Sequence, residues 1–301
     1  MALNLEAIDR LTKDVIIASR LTVREIRYLV DAYYMIQEYR KAAGNQIRAT
    51  DAASEPHALL DWYFTQTDVL EKQLAKALDY FSQTSNTGLW LRSVKGIGPV
   101  LAANFLAHLS VEPWRCAAKR EGAKRACSGE PCTPACGRIV IQTAGGFWRF
   151  AGLDPTLKWG KGERRPFNAA LKTACWKASD SWVKLKGHAD SYYSRVYVAR
   201  KSYEVERNLA GELKTEAERA LSTRPNHAQR SIYAEGRLPD GHIDNRARRY
   251  TAKLFLSHLH YVMYEEAFEK PPPMPYAVAI AGHAHMIEPP GWPVVGNALA
   301  A

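Results

Sequence analysis

The chain has 301 residues, of which 47% are hydrophobic, and 41 Lys and Arg against 31 Asp and Glu give a formal net charge of +10. This length and apolar content suffice for a buried core in one large domain or two ordinary ones. No apolar run approaches the ~20 residues of a membrane-spanning helix, and the start MALNLEAIDR lacks the apolar centre of a signal peptide. We therefore expect a globular, cytoplasmic protein with no membrane partner.

The N-terminal region, residues 1–88, predicts a pair of long helices. Thr22 and Glu25 form a capping box, and apolar residues then recur every three or four positions until Gly44 and the polar stretch behind it. A second helix is expected to begin near Ser54. The pair serves either as a stalk and homo-oligomer contact or as ordinary packing on the domain core, and both interpretations stay open.

Residues 89–109 read LWLRSVKGIGPVLAANFLAHL, two apolar helical segments joined by a Gly-Ile-Gly turn. This pattern is typical of a helix–hairpin–helix that grips the DNA backbone. Gly96 and Gly98 permit a positive φ and close backbone approach. The helix that follows would offer free N–H groups and a positive dipole end to phosphate, with Lys95 as a point charge. The alternative is a helical corner whose glycines serve packing only.

Positive charge is concentrated in the middle of the chain. From Arg92 to Arg207 there are 21 Lys and Arg against nine Asp and Glu, so the rest of the chain is slightly acidic. A basic block around a phosphate-binding turn predicts a polyanionic partner and salt-sensitive affinity.

Four of the five cysteines fall in a polar, basic insertion at residues 114–140. They are Cys116, Cys127, Cys132 and Cys136. Zinc bound by four thiolates would hold such a loop together, although the spacing lacks the paired C-x2-C pattern. Exposed free thiols are the alternative interpretation. Cys175 is expected in the core of a helix.

A second basic segment follows the insertion, where aromatic and basic residues alternate on a Gly-rich backbone. We expect DNA contacts from Lys158, Lys161, Arg164 and Arg165. The rings of Trp148 and Phe150 are equally compatible with a place in the core, whereas the charged stretch is hard to bury.

The C-terminal region, residues 191–270, predicts one helix from Ser191 to about Leu221 and a last helix from Ile243 to about Glu269. The last helix has basic residues in its first turns and acidic ones in its last, which opposes the helix dipole. We therefore expect an external anion near Arg246 and Arg249.

The tail, residues 271–301, is rich in Pro and Gly and is expected to be a non-helical loop that wraps the domain. His258 and His260 are expected to be packed or surface side chains rather than a metal cluster with His283 and His285, because residues two apart on a helix face different ways.

The turn GIGPVLAANFLAHL and the later FWRFAGLDP and GKGERR segments resemble the C-terminal transposase domain of the insertion-sequence-110/116/902 family, over roughly residues 55–185. The matching positions are Gly96, Gly98, Phe150, Ala151, Gly152, Leu153, Pro155, Gly160, Lys161 and Gly162. The resemblance implies DNA strand exchange directed by a structured RNA, inside an oligomer.

Two features of that family are missing from this sequence. The first 55 residues read as helical, so they offer no β-sheet for the acidic metal ligands of the family's RuvC-like N-terminal domain. The segment that carries the family's nucleophilic serine reads TLKWGKGERR here, with Thr156 as its one hydroxyl. Magnesium would therefore be required only if the protein is catalytic.

We predict an all-α protein with a helical pair at 1–88, a helix–hairpin–helix domain at 89–190 that carries the Cys-rich insertion, C-terminal helices at 191–270 and the tail. The favoured function is DNA binding through backbone or branched structure. One alternative is an active transposase that uses Asp240, His242 and Asp244 or a nuclease domain in trans. The other is a structured-RNA-binding or scaffold protein.

Overall fold

We describe the protein from a computed structural model. The residues that the structure describes are 10–50, 58–112, 114–116, 137–139, 142–160, 162–223, 226, 228–273 and 287–294. Within them the chain forms eleven helices and one pair of three-residue strands. The expected all-α fold class is confirmed.

The elements are, in chain order, α1 (Lys13–Ala18), α2 (Val23–Ala49), α3 (Ala58–Ser82), α4 (Asn86–Ser93), α5 (Pro99–His108), β1 (Trp114–Cys116), β2 (Gly137–Ile139), α6 (Ala144–Phe150), α7 (Ala169–Lys184), α8 (Tyr192–Leu209), α9 (Lys214–Thr223), α10 (Arg230–Ala234) and α11 (Asp240–Phe268).

The contacts divide the described chain into two compact units. The first comprises the described residues of Met1–Arg92 and Gly98–Leu109, with Val294. The second comprises those of Ser93–Ile97 and Ser110–Pro293. Helix α7 and the C-terminal helices belong to the same unit, and the domain boundaries expected from the sequence stay a prediction.

The first unit is built on α2 and α3, which pack antiparallel, with α5 against both. Its buried core consists of Ile26, Val30, Leu78, Val100, Ala103 and Ala107. The predicted capping box of α2 is confirmed, since Thr22 Oγ1 accepts from Glu25 N at 3.3 Å and Glu25 Oε2 accepts from Thr22 N at 2.7 Å. The two long helices are therefore present as expected.

The predicted break at Gly44 is wrong, because α2 continues through it to Ala49. A Cβ at residue 44 would lie 3.1 Å from Phe64 Cε2 on α3. The glycine lets the two helices approach closely, and this packing offsets its low helix propensity.

A buried carboxylate joins α2 to α3. Glu71 accepts hydrogen bonds from Gln37 Nε2 at 3.0 Å and from Arg40 Nε at 2.6 Å. Burial alone would raise the pKa of Glu71, but these hydrogen bonds outweigh it and lower the pKa.

Several large apolar side chains of this unit are exposed, among them Tyr28 and Met35. The oligomer contact expected of this helical pair stays a prediction.

The second unit is organised around α11, against which α6, α7 and α8 pack. Its centre is aromatic: Trp182 stacks on Tyr193 with ring centroids 4.8 Å apart, and Phe255 packs against both. A smaller cluster of Leu213, Ala217, Tyr233, Leu238 and Ile243 joins α9 and α10 to the start of α11.

The single helix expected from Ser191 to about Leu221 is in fact two helices. Helix α8 ends at Leu209, and Gly211 follows with φ +79°. Glu212 N donates to Arg207 O at 3.0 Å and Gly211 N to Asn208 O at 3.3 Å, which is the Schellman pattern of a helix C-terminus.

The base of the Cys-rich insertion is a two-stranded antiparallel ribbon, which the sequence analysis did not predict. Trp114 pairs with Ile139 and Cys116 with Gly137. The residues between the strands, 117–136, lie outside the described chain. Of the Pro/Gly-rich tail, residues 271–273 and 287–294 are described and non-helical. Trp292 Nε1 in the tail donates to Glu265 Oε2 of α11 at 2.7 Å.

Among the described residues, no helix combines the length and the apolar character needed to cross a bilayer.

Candidate nucleic-acid interface

The Gly-Ile-Gly turn after α4 is shaped by Gly96. This residue has φ +95°, a conformation that favours glycine. A Cβ there would lie 3.0 Å from Trp182 Cδ1 and 3.3 Å from Leu185 Cδ1, so the site has no room for a side chain. Trp182 Nε1 also donates to Lys95 O at 3.1 Å. Gly96 thus uses the positive φ that glycine permits, and the turn packs on α7 there.

Gly98 does not use the positive φ that a glycine permits. Gly98 has φ −83° and ψ 175°, an extended conformation open to any residue, and acts as the N-cap of α5 without a side-chain hydrogen bond. Pro99 occupies the first helical position, where its missing N–H would be unpaired in any case. A Cβ at residue 98 would meet no described atom within 4 Å. Neither strain nor crowding among the described residues requires this glycine.

Lys95 is exposed, and its charge is shared with an acidic neighbour. Lys95 Nζ lies 2.9 Å from Asp190 Oδ2, and both side chains are well exposed. The hydrogen bond from Lys95 lowers the pKa of Asp190. This lysine can reach a phosphate only in competition with Asp190.

The segment that carries the second basic cluster is anchored at both ends. Helix α6 ends in a Schellman motif, in which Gly152 has φ +67° and Leu153 N donates to Trp148 O at 2.8 Å. A Cβ at Gly152 would lie 2.8 Å from the ring of Phe167, so this ring packs directly on the turn. Asn168 then caps α7 through its side chain. The loop at 153–167 is therefore held at both ends, by the Gly152 turn and by the Asn168 cap of α7.

The predicted DNA-contacting residues of this loop are exposed. They are Lys158, Arg164 and Arg165, and none of them has a carboxylate oxygen within 4 Å among the described residues. Lys161 lies outside the described residues. The tip of the loop turns between Gly160 and Glu163, where Gly160 N donates to Glu163 Oε2 at 2.7 Å. Glu163 is thus occupied by backbone, while the three cations face solvent.

The physical reason for expecting an external anion near Arg246 does not hold. Helix α11 begins at Asp240 rather than Ile243, so acidic residues occupy its first turns. Arg246 Nε lies 2.8 Å from Glu204 Oε2 on α8, which supplies the missing negative charge from within the protein.

The next two cations of α11 are less well neutralised. Arg249 and Lys253 have no carboxylate oxygen within 4 Å in the described part of the chain. Desolvation lowers the pKa of both, and the charge of Arg246 lowers that of Arg249 further. Lys253 Nζ lies 4.3 Å from the ring centroid of Trp148. Arg249 therefore remains available to an anion, unlike Arg246.

The residues considered for the catalytic alternative are not arranged as a metal site. Asp240, His242 and Asp244 lie on one helix, and no group of three metal-ligating side chains is found in the described ranges. Burial alone would raise the pKa of Asp244, but hydrogen bonds from Tyr197, Arg248 and Lys201 outweigh it and lower the pKa to about 2. Asp244 is thus a structural partner of cations.

Some of the candidate metal-ligating cysteines and histidines lie within the described residues, and others lie outside them. Of the proposed zinc ligands, Cys116 lies on β1, whereas Cys127, Cys132 and Cys136 fall outside the described residues. Cys175 is buried as predicted, and burial raises the pKa of its thiol to about 12. His258 and His260 are packed side chains as expected: each Nε2 donates to a backbone carbonyl, of Ile287 and of Gln142 respectively. His283 and His285 lie outside the described chain.

Trp176, which is not among the residues predicted from the sequence, lies on the solvent side of α7 with 56% of its surface exposed. The guanidinium carbon of Arg248 lies 5.7 Å from its ring centroid. The sequence signal for this residue is its position one helical turn after Lys172.

Comparison with protein-family models, with curated proteins and with solved structures found no match to this chain.

Proposed function

We propose that this protein binds DNA through the sugar–phosphate backbone, with the loop of Lys158, Arg164 and Arg165 as the principal contact. One observation carries the proposal: three exposed cations lie together on an anchored loop without a carboxylate partner in the described structure. Long cationic side chains that face solvent from a fixed loop are well suited to phosphate, which accepts hydrogen bonds from both Lys and Arg.

Several other cations of the second unit differ from those of the loop, because they are paired within the protein. Arg246, Arg248 and Lys95 each have a carboxylate oxygen within 4 Å. The three loop cations, by contrast, add positive charge that no described carboxylate within 4 Å offsets, and such charge would attract a polyanion. Arg249 is a further contact in this proposal.

The resemblance to insertion-sequence transposases favours DNA over another polyanion. It covers the turn from Gly96 to Pro99 and the segment at Gly152 that fixes the loop. On this basis we retain the turn as a second DNA contact. In this contact Lys95 would release Asp190 and bind a phosphate instead. Direct reading of base edges plays no part in the proposal, so affinity should depend on charge and DNA shape more than on sequence.

The proposal is tested by fluorescence anisotropy with labelled duplex, four-way-junction DNA and an RNA hairpin. The variant Lys158→Ala/Arg164→Ala/Arg165→Ala removes the loop charges. The matched control, Arg10→Ala/Lys13→Ala/Arg24→Ala, removes three exposed cations of the first unit and leaves the same net charge. We expect the loop variant to bind DNA roughly tenfold or more weakly, with the control close to wild type.

Two other results would contradict the proposal and favour a different interpretation. Equal loss of affinity in both variants would mean that only net charge matters. A clear preference for the RNA hairpin would indicate an RNA-binding protein. The same samples, incubated with magnesium and run on a denaturing gel, report strand cleavage, and discrete products would indicate an active recombinase.

A further inference from the structure

Cations lie beside aromatic rings from the basic loop of the second unit onto α7. The guanidinium carbon of Arg165 lies 5.8 Å from the ring centroid of Trp159, and that ring packs edge-on against Phe167 with centroids 6.3 Å apart. Lys172 Nζ lies 4.5 Å from the centroid of Phe167. The basic loop and the first turn of α7 thus form one continuous surface.

The surface continues to Trp176. Lys172 and Trp176 are four residues apart on α7, so they are neighbours on one helix face. Arg248 lies against the ring of Trp176 from α11 and is itself held by Asp180 and Asp244. We call the set of Trp159, Arg165, Phe167, Lys172 and Trp176 the aromatic–cation stripe.

The two tryptophans of the stripe are unusually exposed for their size. Trp159 is 47% exposed and Trp176 is 56% exposed. Indole rings favour burial, and exposed rings that continue from one to the next along a surface indicate a binding site more often than isolated exposed residues do. Arg165 and Lys172 have no carboxylate oxygen within 4 Å among the residues that the structure describes. The stripe therefore offers ring faces and unneutralised charge together.

We propose that the stripe binds an unpaired nucleic-acid strand, with bases stacked on Trp159 and Trp176 and phosphates at Arg165 and Lys172. In a duplex each base is covered by the bases above and below it, so only an unpaired strand presents free base faces to a ring. Rings with cations beside them match the bases and phosphates that such a strand presents side by side. This inference rests on the proposed function and specifies the form of nucleic acid that the same unit recognises.

The test compares labelled oligo(dT) with a duplex of matched length, using the full chain and its variants. Trp176→Ala should weaken oligo(dT) binding by about fivefold or more, the range typical of a lost stacking contact, and change duplex binding little. Trp176→Phe keeps a ring and should restore most of the affinity. Trp62→Ala is the control, since Trp62 is a 41%-exposed tryptophan of the first unit outside the stripe. Circular dichroism checks that each variant is folded.

The outcomes separate this inference from the proposed function. If Trp176→Ala leaves oligo(dT) binding unchanged, or weakens duplex binding equally, the stripe is not a stacking surface, while duplex binding that depends on Lys158 and Arg164 still supports the proposed function. If neither probe binds, both proposals fail. Binding of oligo(U) at the level of oligo(dT), with the same loss in Trp176→Ala, supports the inference, because ring face and phosphate are common to both strands.

Discussion

Trp182 fixes the turn at Gly96: its Nε1 donates to Lys95 O at 3.1 Å, and its ring occupies the space that a Cβ of residue 96 would need. Trp182 lies near the C-terminal end of α7, whose N-terminal end follows the basic loop directly. At 16 residues α7 is about 24 Å long. One helix therefore anchors both segments on which the resemblance to transposases depends.

This relationship predicts opposite behaviour for the two glycines of the turn. Gly96→Ala forces a non-glycine residue to φ +95° against an indole, and should lower the free energy of unfolding by about 1–3 kcal/mol. Gly98→Ala meets open space at an extended φ and should change it by less than about 1 kcal/mol. Urea denaturation of both variants measures the difference. Equal destabilisation would contradict the assignment of the turn's strain to Gly96.

The charge cluster between α8 and α11 depends on Glu204, which is buried with 1% of its surface exposed. It contacts Arg200, Arg207 and Arg246. Glu204→Gln would leave these guanidinium groups without their buried counter-charge, so the free energy of unfolding should fall by about 3 kcal/mol. Glu216 is the control, because it is 44% exposed and 3.7 Å from Arg246. Glu216→Gln should cost less than about 1 kcal/mol, and a larger loss there than at Glu204 would refute the prediction.

His258 makes stability depend on pH. Burial lowers the pKa of His258 to about 4, and its ring stays neutral, with Nε2 donating to Ile287 O and Nδ1 accepting from Tyr193 Oη. As the pH falls from about 6.5 towards 4, the unfolded chain binds a proton at His258 that the folded chain does not bind. The contribution of this residue to the free energy of unfolding should therefore fall, by about 2 kcal/mol at pH 5.

His258→Gln isolates this effect, because glutamine does not titrate. Between pH 7 and pH 5 the variant should lose about 2 kcal/mol less of its unfolding free energy than the wild type. His260, whose pKa burial also lowers, is present in both proteins and cancels from the comparison. Parallel pH profiles would show that the pKa of His258 is the same in the folded and the unfolded chain.

Short-range signals in the sequence predicted much of the helical framework. The Thr22 and Glu25 capping box lies within one helical turn, so its partners are readable from spacing alone, and it is present. The turn at Gly211 carries a similarly local signal, a glycine after a periodic segment, and was overlooked. Continuation of α2 through Gly44 could not be read locally, because its cause is Phe64 on another helix.

In the candidate site, too, the charged partners that lie far apart in the sequence could not be predicted. Exposure of Lys158 to Arg165 followed from a local run without aliphatic residues, and the structure places the described cations of that run at the surface. Neutralisation of Arg246 depends on Glu204, 42 positions earlier, and sequence spacing gives no access to such a partner. The position of Arg248 over the Trp176 ring could not be predicted for the same reason, because the two residues lie on different helices.

Thiol reactivity tests the two expectations about cysteine. Cys175, buried and with its pKa raised to about 12, should not react with a thiol reagent until the protein is denatured. The four cysteines of the insertion report on zinc: if they hold the metal, they react only after a chelator removes it, with release of one zinc per chain. Immediate reaction of all four without chelator would establish free thiols.

Contact between the loop cations and DNA phosphates is the claim on which the proposed function rests, and the salt dependence of binding is its sharpest test. The slope of log K against log salt concentration counts the phosphates that the protein neutralises. For Lys158→Ala/Arg164→Ala/Arg165→Ala on duplex DNA, we expect a slope shallower than wild type by about 3, with the slope of Arg10→Ala/Lys13→Ala/Arg24→Ala unchanged. An unchanged slope in the loop variant would contradict the claim, whatever the change in affinity.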